Sequence, residues 1–127
     1  MNNTANLPDS VRNPVMMLIT KAEMKKLRDN NAKVVAGESV RPVVKLFVGR
    51  LTWLVTDIDD DGILFGYADM GYGEVEFGSL CHVAELPGLR GGLRAGLRAS
   101  ACYLERDRFF TDKPDVNYFD LDTLVGV

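Results

Sequence analysis

Cysteine is scarce in this chain, histidine occurs once, and no apolar run approaches the roughly 18 residues that a membrane span needs. With Cys81 and Cys102 as the only cysteines, the fold must stand without a disulfide framework, and both are expected to be reduced, packed thiols. Together with His82 they fall short of the four ligands a structural zinc requires. An excess of one charge is also missing. The 15 basic and 18 acidic residues give a net charge of −3, too mild for a strongly basic nucleic-acid domain or an acidic DNA mimic. The opening stretch MNNTANLPDSVRNP lacks the basic-then-apolar layout of a signal peptide, so a cytoplasmic protein with no membrane association is expected. Around Gly91-Gly92 neither the Walker spacing nor the dinucleotide fingerprint occurs, and no cofactor is expected.

What is present is an ordinary globular balance: 127 residues, 46% hydrophobic and 26% charged, enough for one domain with a packed core. Residues 1–14 are polar and carry two prolines, which suits a flexible segment ahead of a single domain over 15–127. The run ITKAEMKKLRDNN has a helix start: Thr20 as N-cap, Glu23 three residues on, and Ile19 with Met24 as a hydrophobic staple. A helix over 21–29 follows, with Asn30 and Asn31 ending it.

Past Gly37 the period changes to that of strands. PVVKLFV (42–48), LTWLVTDI (51–58), ILFGYADM (63–70) and EVEFG (74–78) are separated by links of two to four residues, too short for parallel crossovers, so an antiparallel meander is expected. PVVKLFV reads as a central strand whose Lys45 emerges at an edge or finds a partner. In EVEFG, Val75 and Phe77 point one way and Glu74 and Glu76 the other. Trp53, Phe47, Phe65, Tyr67 and Phe77 recur at strand spacing and read as core, whereas Tyr72 in its glycine turn reads as exposed. SLCHVAELPGL (79–89) has helical spacing until Pro87 limits it. The Leu-Arg repeat after it is a loose helical turn or loop, a strand is expected near 101–106, and DVNYFDLDTLVGV suggests a last short helix. The expected class is α+β: a small antiparallel sheet of four or five strands with an N-terminal helix and one or two further short helices.

PVVKLF, TWLVTDID, LFGYADMGYGEVEFGSL with the following AEL, and ERDRFF before KP, in this order and spacing, resemble the bacterial family known as domain of unknown function 2958. The resemblance covers most of the chain from the first helix to Pro114. It implies a protein carried on plasmids, phages and other mobile elements, and it brings no catalytic residues with it. The extra N-terminal residues and the glycine-rich Leu-Arg repeat depart from the family pattern.

Three groups of residues could carry chemistry. DIDDDG (57–62) places Asp57, Asp59, Asp61 and Gly62 as in the first half of a calcium loop. Ala68 stands where the closing bidentate glutamate should be, and the flanks are strands, so a turn is expected, with the three aspartates at most a weak cation site. Tyr72, Glu74 and Glu76, near Asp69, form an acidic turn around an aromatic and are the preferred partner contacts. Arg90, Arg94 and Arg98 have no carboxylate between Glu85 and Glu105 to neutralise them and could meet phosphate or carboxylate. Two functions are therefore expected to compete. One is a non-enzymatic accessory protein of a mobile element, binding a host or element-encoded macromolecule such as a defence component. The partner would most naturally be a protein, with nucleic acid reached through residues 90–98. The other is a small metal-assisted hydrolase or nucleic-acid-processing enzyme using Asp57, Asp69, Glu74 or Glu76, which requires those carboxylates to converge in a pocket.

Overall fold

The structure, a computed structural model, describes residues 18–88 and 104–119. Helix α1 (Lys21–Val35) starts as the sequence predicts: Thr20 Oγ1 accepts the Glu23 N–H at 3.1 Å and Glu23 Oε1 accepts the Thr20 N–H at 2.9 Å. Ile19 is fully buried, and Met24 packs against the same core cluster, the placement a staple requires. The helix does not stop at Asn30 and Asn31; it runs to Val35, where Gly37 takes a φ of +87°. The Glu38 N–H then bonds Lys33 O and the Gly37 N–H bonds Val34 O, the paired closure that a left-handed glycine permits. The asparagines face the sheet. Asn30 Nδ2 donates to Thr56 O at 2.9 Å, and Asn31 Nδ2 donates to Asp57 Oδ2 at 3.0 Å. Tertiary bonds therefore outweigh their modest helix propensity.

Strands β1 (Val44–Val48), β2 (Leu51–Ile58), β3 (Ile63–Asp69) and β4 (Val75–His82) form the expected antiparallel meander. The two-residue β5 (Glu105–Arg106) pairs with β1, giving the order β4-β3-β2-β1-β5. The strand buried along nearly its whole length is β2. β1 lies between β2 and the short β5, and Lys45 is buried with Nζ 3.9 Å from Asp107 Oδ2. A bulge between Val55 and Asp57 shifts the β2–β3 register.

The segment 79–88 departs from the expected helix. Residues 79–82 continue β4, pairing with β3 as far as Ile63↔His82, and only Val83–Gly88 forms a short 3-10 helix. The spacing of Leu80, Val83 and Leu86 suits a helix, but the ladder along β3 extends the chain until Val83 N–H reaches Gly62 O. Of the expected strand over 101–106, Glu105–Arg106 is paired, Leu104 is not, and 101–103 lie outside the described residues. Residues 114–119 run as turns, and the rest of the expected last helix, like residues 1–14, lies outside the described residues.

Alternation along the strands gives the sheet two buried faces. On one, Val44, Leu46, Val48, Trp53, Val55 and Leu64 meet Ile19 and Leu27 of the helix layer, and Leu86 and Leu104 close the rim. Burying Leu27 completely contributes about 2 kcal/mol. On the other face Leu54 lies under Tyr118, with Tyr67, Val75, Phe110 and Val116 around it. A polar clasp fixes this cover. Arg41 donates to both carboxylate oxygens of Asp112 (3.1 and 3.0 Å) and lies 4.9 Å from the Tyr118 ring centroid, while Tyr118 Oη donates to Asp112 Oδ1 at 2.8 Å. Among the described residues, no helix is long and apolar enough to cross a membrane.

Candidate functional site

The acidic turn that opened the calcium question is built as a turn. Asp59 Oδ1 accepts the N–H groups of Asp61 and Ile63, both at 2.9 Å, and the Gly62 N–H bonds Asp59 O. Gly62 has a φ of +86°, and the His82 ring lies where a side chain at position 62 would go. Asp57 points away from that turn into the interface with α1. It is 2% exposed, accepting the Thr56 hydroxyl at 2.6 Å on Oδ1 and Asn31 Nδ2 on Oδ2. Asp57, Asp59 and Asp61 are therefore committed to different groups. Among the described residues, no three His, Cys, Asp or Glu side chains gather to hold a metal ion.

The four carboxylates of the hydrolase expectation do not form one cluster: Asp69 pairs with Val75, between Glu74 and Glu76, whereas Asp57 lies at the other end of the sheet. Asp69 pairs with Thr52, a strand's length along β2 from Asp57, which separates the two by roughly 16 Å. Asp69 is itself buried, its Oδ1 accepting the Gly71 N–H at 2.9 Å. Glu76 pairs with Ala68 and so lies on the helix side of the sheet, opposite to Asp69. Glu74 is exposed in the loop before β4.

Cys81 and His82 end β4, where neighbouring side chains diverge. Burial, with the Glu85 carboxylate adding to it, pushes the Cys81 thiol up to about 11, the reverse of what a nucleophile needs. His82 Nδ1 accepts the Ala84 N–H at 3.0 Å, and the His82 backbone N–H donates to Glu85 Oε1. Both residues serve the strand end.

The β3–β4 hairpin brings the remaining residues together. Gly71 (φ +94°) and Gly73 (φ +87°) hold Tyr72 out into solvent at 83% exposure, and Arg50 packs across Gly71. Met70 folds over Trp53, whose indole N–H points to its sulfur at 3.4 Å. Beside them, on the helix side of β4, is a groove of about 240 Å³ lined by Trp53, Ala68, Met70, Glu76, Gly78 and Leu80. The opposite side of β4 carries Phe77, edge-on to Tyr67 at 5.0 Å, and Tyr67 meets Phe119 at 5.1 Å. Phe77 was expected in the core but is 48% exposed, because β4 is the last strand and no described element covers its flank. Trp53 is in the core as expected and Tyr67 packs against the second cluster, whereas Phe47 and Phe65 are half-buried outside both clusters.

A larger groove, of about 790 Å³, lies at the other edge between Lys45, Phe47, Thr52, Arg106, Asp107 and Phe109. Its buried charges are already matched: Lys45 with Asp107, and Arg106 Nη1 with Glu23 Oε1 at 2.9 Å. Arg90, Arg94 and Arg98 lie outside the described residues.

One electrostatic feature escaped the whole-chain balance. From Leu51 to Gly88 there is no lysine or arginine, while Asp57, Asp59, Asp60, Asp61, Asp69, Glu74, Glu76 and Glu85 all fall there. The β2–β3–β4 side of the sheet is therefore acidic, and its exposed carboxylates line β4 and both of its ends. A local charge count along the chain would have found it.

The profile of a family described as "Protein of unknown function (DUF2958)" matches residues 18–123. No curated protein and no solved structure matches the chain. Since that match runs from the core residue Leu18 through the meander, the ERDRFF segment and the Arg41–Asp112–Tyr118 clasp, the chain belongs to the DUF2958 family.

Proposed function

We propose that this protein is a non-enzymatic binding module, an accessory protein of a bacterial mobile element, that engages a host or element-encoded protein through its β3–β4 hairpin. A component of host defence is the kind of target that such a setting favours. One observation carries the reading: the exposed Tyr72, braced by two left-handed glycines, tops a hairpin whose other exposed residues include Met70, Glu74, Glu76 and Phe77. Tyrosine and its apolar neighbours supply large contact area at little entropic cost, and the glutamates supply orientation, the mix that concentrates binding energy at protein interfaces. Asp57 is remote from the other three, Asp69 is committed to the Gly71 N–H, and Glu74 and Glu76 are solvent-exposed, which supports binding over hydrolysis, because acid/base work needs a partly buried pair in one cleft.

The test is affinity purification of the full chain from a bacterial host, with and without nuclease, comparing wild type with Tyr72→Ala/Phe77→Ala. A stoichiometric protein that survives nuclease and is lost with the double substitution is the expected result. Partners that disappear with nuclease would instead move the function to Arg90, Arg94 and Arg98 and to nucleic acid. Retention of the partner by the double variant would remove the hairpin from the interface.

A further inference from the structure

We infer that β4 is a docking strand, which takes an extended, arginine- or lysine-bearing segment of the protein partner as an added strand of the sheet. This rests on the binding reading above and gives it a mode and a chemistry. Eight residues long, β4 is the outermost strand among the described residues at its side of the sheet, so its outer backbone groups have no described strand to pair with. Natural edges are commonly blunted by lysine, proline or a bulge; β4 has no lysine or proline, and its register shift falls at Leu80-Cys81, which leaves Val75–Ser79 as the regular edge. An incoming strand supplies the missing ladder, and its alternate side chains then fall on the two faces of β4.

Each face suits a different residue. On the helix side, the groove between Trp53, Met70 and Leu80 is apolar along its walls and has Glu76 among its lining residues. A lysine or arginine fits there, its methylene stem along the indole and thioether and its cation toward the carboxylate. Gly78 keeps this groove open, since no atom of the described residues lies within 4 Å of where its Cβ would be. On the other side, Phe77 with Tyr67 and Phe119 offers an aromatic shelf for an apolar residue. Charge selects the occupant. Glu74 and Glu76 lie at one end and Asp60, Asp61 and Glu85 at the other, with no lysine or arginine in positions 51–88 and Arg50, packed across Gly71, as the one cation placed against the hairpin among the described residues. A second copy of β4 would bring the same acidic edge against this one, and nucleic acid would be repelled, whereas a basic segment is drawn in along its whole length.

The probe is a fluorescent eight-residue peptide alternating arginine with valine, titrated into the full chain, with an alternating glutamate-valine peptide as control. Fluorescence anisotropy gives the affinity and amide hydrogen exchange locates the site. The expected result is one-to-one binding of the basic peptide only, with new protection at β4 amides. Glu76→Lys and Gly78→Leu, both at open positions and both checked for an unchanged unfolding midpoint, should each weaken binding at least tenfold. No binding, protection away from β4, or equal affinity in both variants overturns the proposal. Self-association of the chain that the peptide reverses assigns β4 to a second copy and overturns it as well. In the affinity purification, a partner kept by Glu76→Lys and Gly78→Leu but lost with Tyr72→Ala/Phe77→Ala would leave the binding module standing and remove strand addition alone.

Discussion

Substituting the aspartates of DIDDDG one at a time separates a structural carboxylate from a turn-former and from solvated neighbours. Asp57 is buried and accepts two side-chain bonds, from Thr56 Oγ1 and Asn31 Nδ2. Hydrogen bonds to a charged group contribute about 1.5–3 kcal/mol each; Asn31 Nδ2 would lose its acceptor, while the Thr56 hydroxyl can still turn to Phe65 O, so Asp57→Ala should destabilise the fold by about 3 kcal/mol. Asp59 holds two backbone N–H groups in a half-exposed turn, and Asp59→Ala should cost about 1 kcal/mol. Asp60 and Asp61 are exposed, and their alanine variants should stay within about 0.5 kcal/mol of wild type. Urea unfolding reads all four. With a slope of about 2 kcal/mol per molar, Asp57→Ala should lower the midpoint by roughly 1.5 M at unchanged slope. Millimolar calcium should leave the wild-type midpoint where it is, since a bound ion would raise it by mass action. A midpoint raised by calcium, or an Asp61→Ala loss equal to that of Asp57→Ala, would refute the assignment of these residues to separate tasks.

The clasp predicts an alkaline transition. Burial, with the hydrogen bond to Asp112 and its charge adding, raises the Tyr118 phenol above its usual range, against the opposing pull of the Lys113 N–H and Arg41. The neutral phenol is thus favoured in the fold. Its contribution is fully present below the unfolded value of about 10 and is lost as pH rises through the folded one. Tyr118→Phe should cost about 1–2 kcal/mol at neutral pH, and the gap from wild type should narrow above pH 10 in urea titrations; a gap constant with pH would contradict this. The Cys81 thiol, held at about 11, should alkylate at pH 8 roughly 100-fold more slowly than in the urea-unfolded chain, and equal rates would show it to be exposed. Gly66→Ala drives a Cβ into the Leu54 carbonyl across the β2–β3 pair and should cost more than about 2 kcal/mol, whereas Gly78→Ala, in open space, should stay within about 0.5 kcal/mol; thermal unfolding distinguishes the two.

Features set by near neighbours were legible in the sequence. Thr20, Glu23, Ile19 and Met24 are within five residues of one another, and the capping box and staple formed as spaced. The meander was legible for the same reason, since short glycine-bearing links permit little else. What failed depended on distant partners. Asn30 and Asn31 look like helix terminators until Thr56 O and Asp57 are placed beside them by the β2 bulge. Residues 79–82 look helical until β3 offers them a ladder. Tyr72, Glu74 and Glu76 could be picked out because a tight turn exposes its own residues. The groove next to them could not, because it needs the register that sets Glu76 beside Ala68 and Ala68 beside Trp53.

The most direct test of the binding account is photo-crosslinking in the bacterial host, with a benzophenone amino acid placed at Tyr72 in one strain and at Phe109 in another. Phe109 is as exposed as Tyr72 but lies at the far edge of the sheet. The account predicts one discrete protein adduct from position 72, identifiable by mass spectrometry, and none from position 109. The same adduct from both positions, or none from position 72, would contradict it.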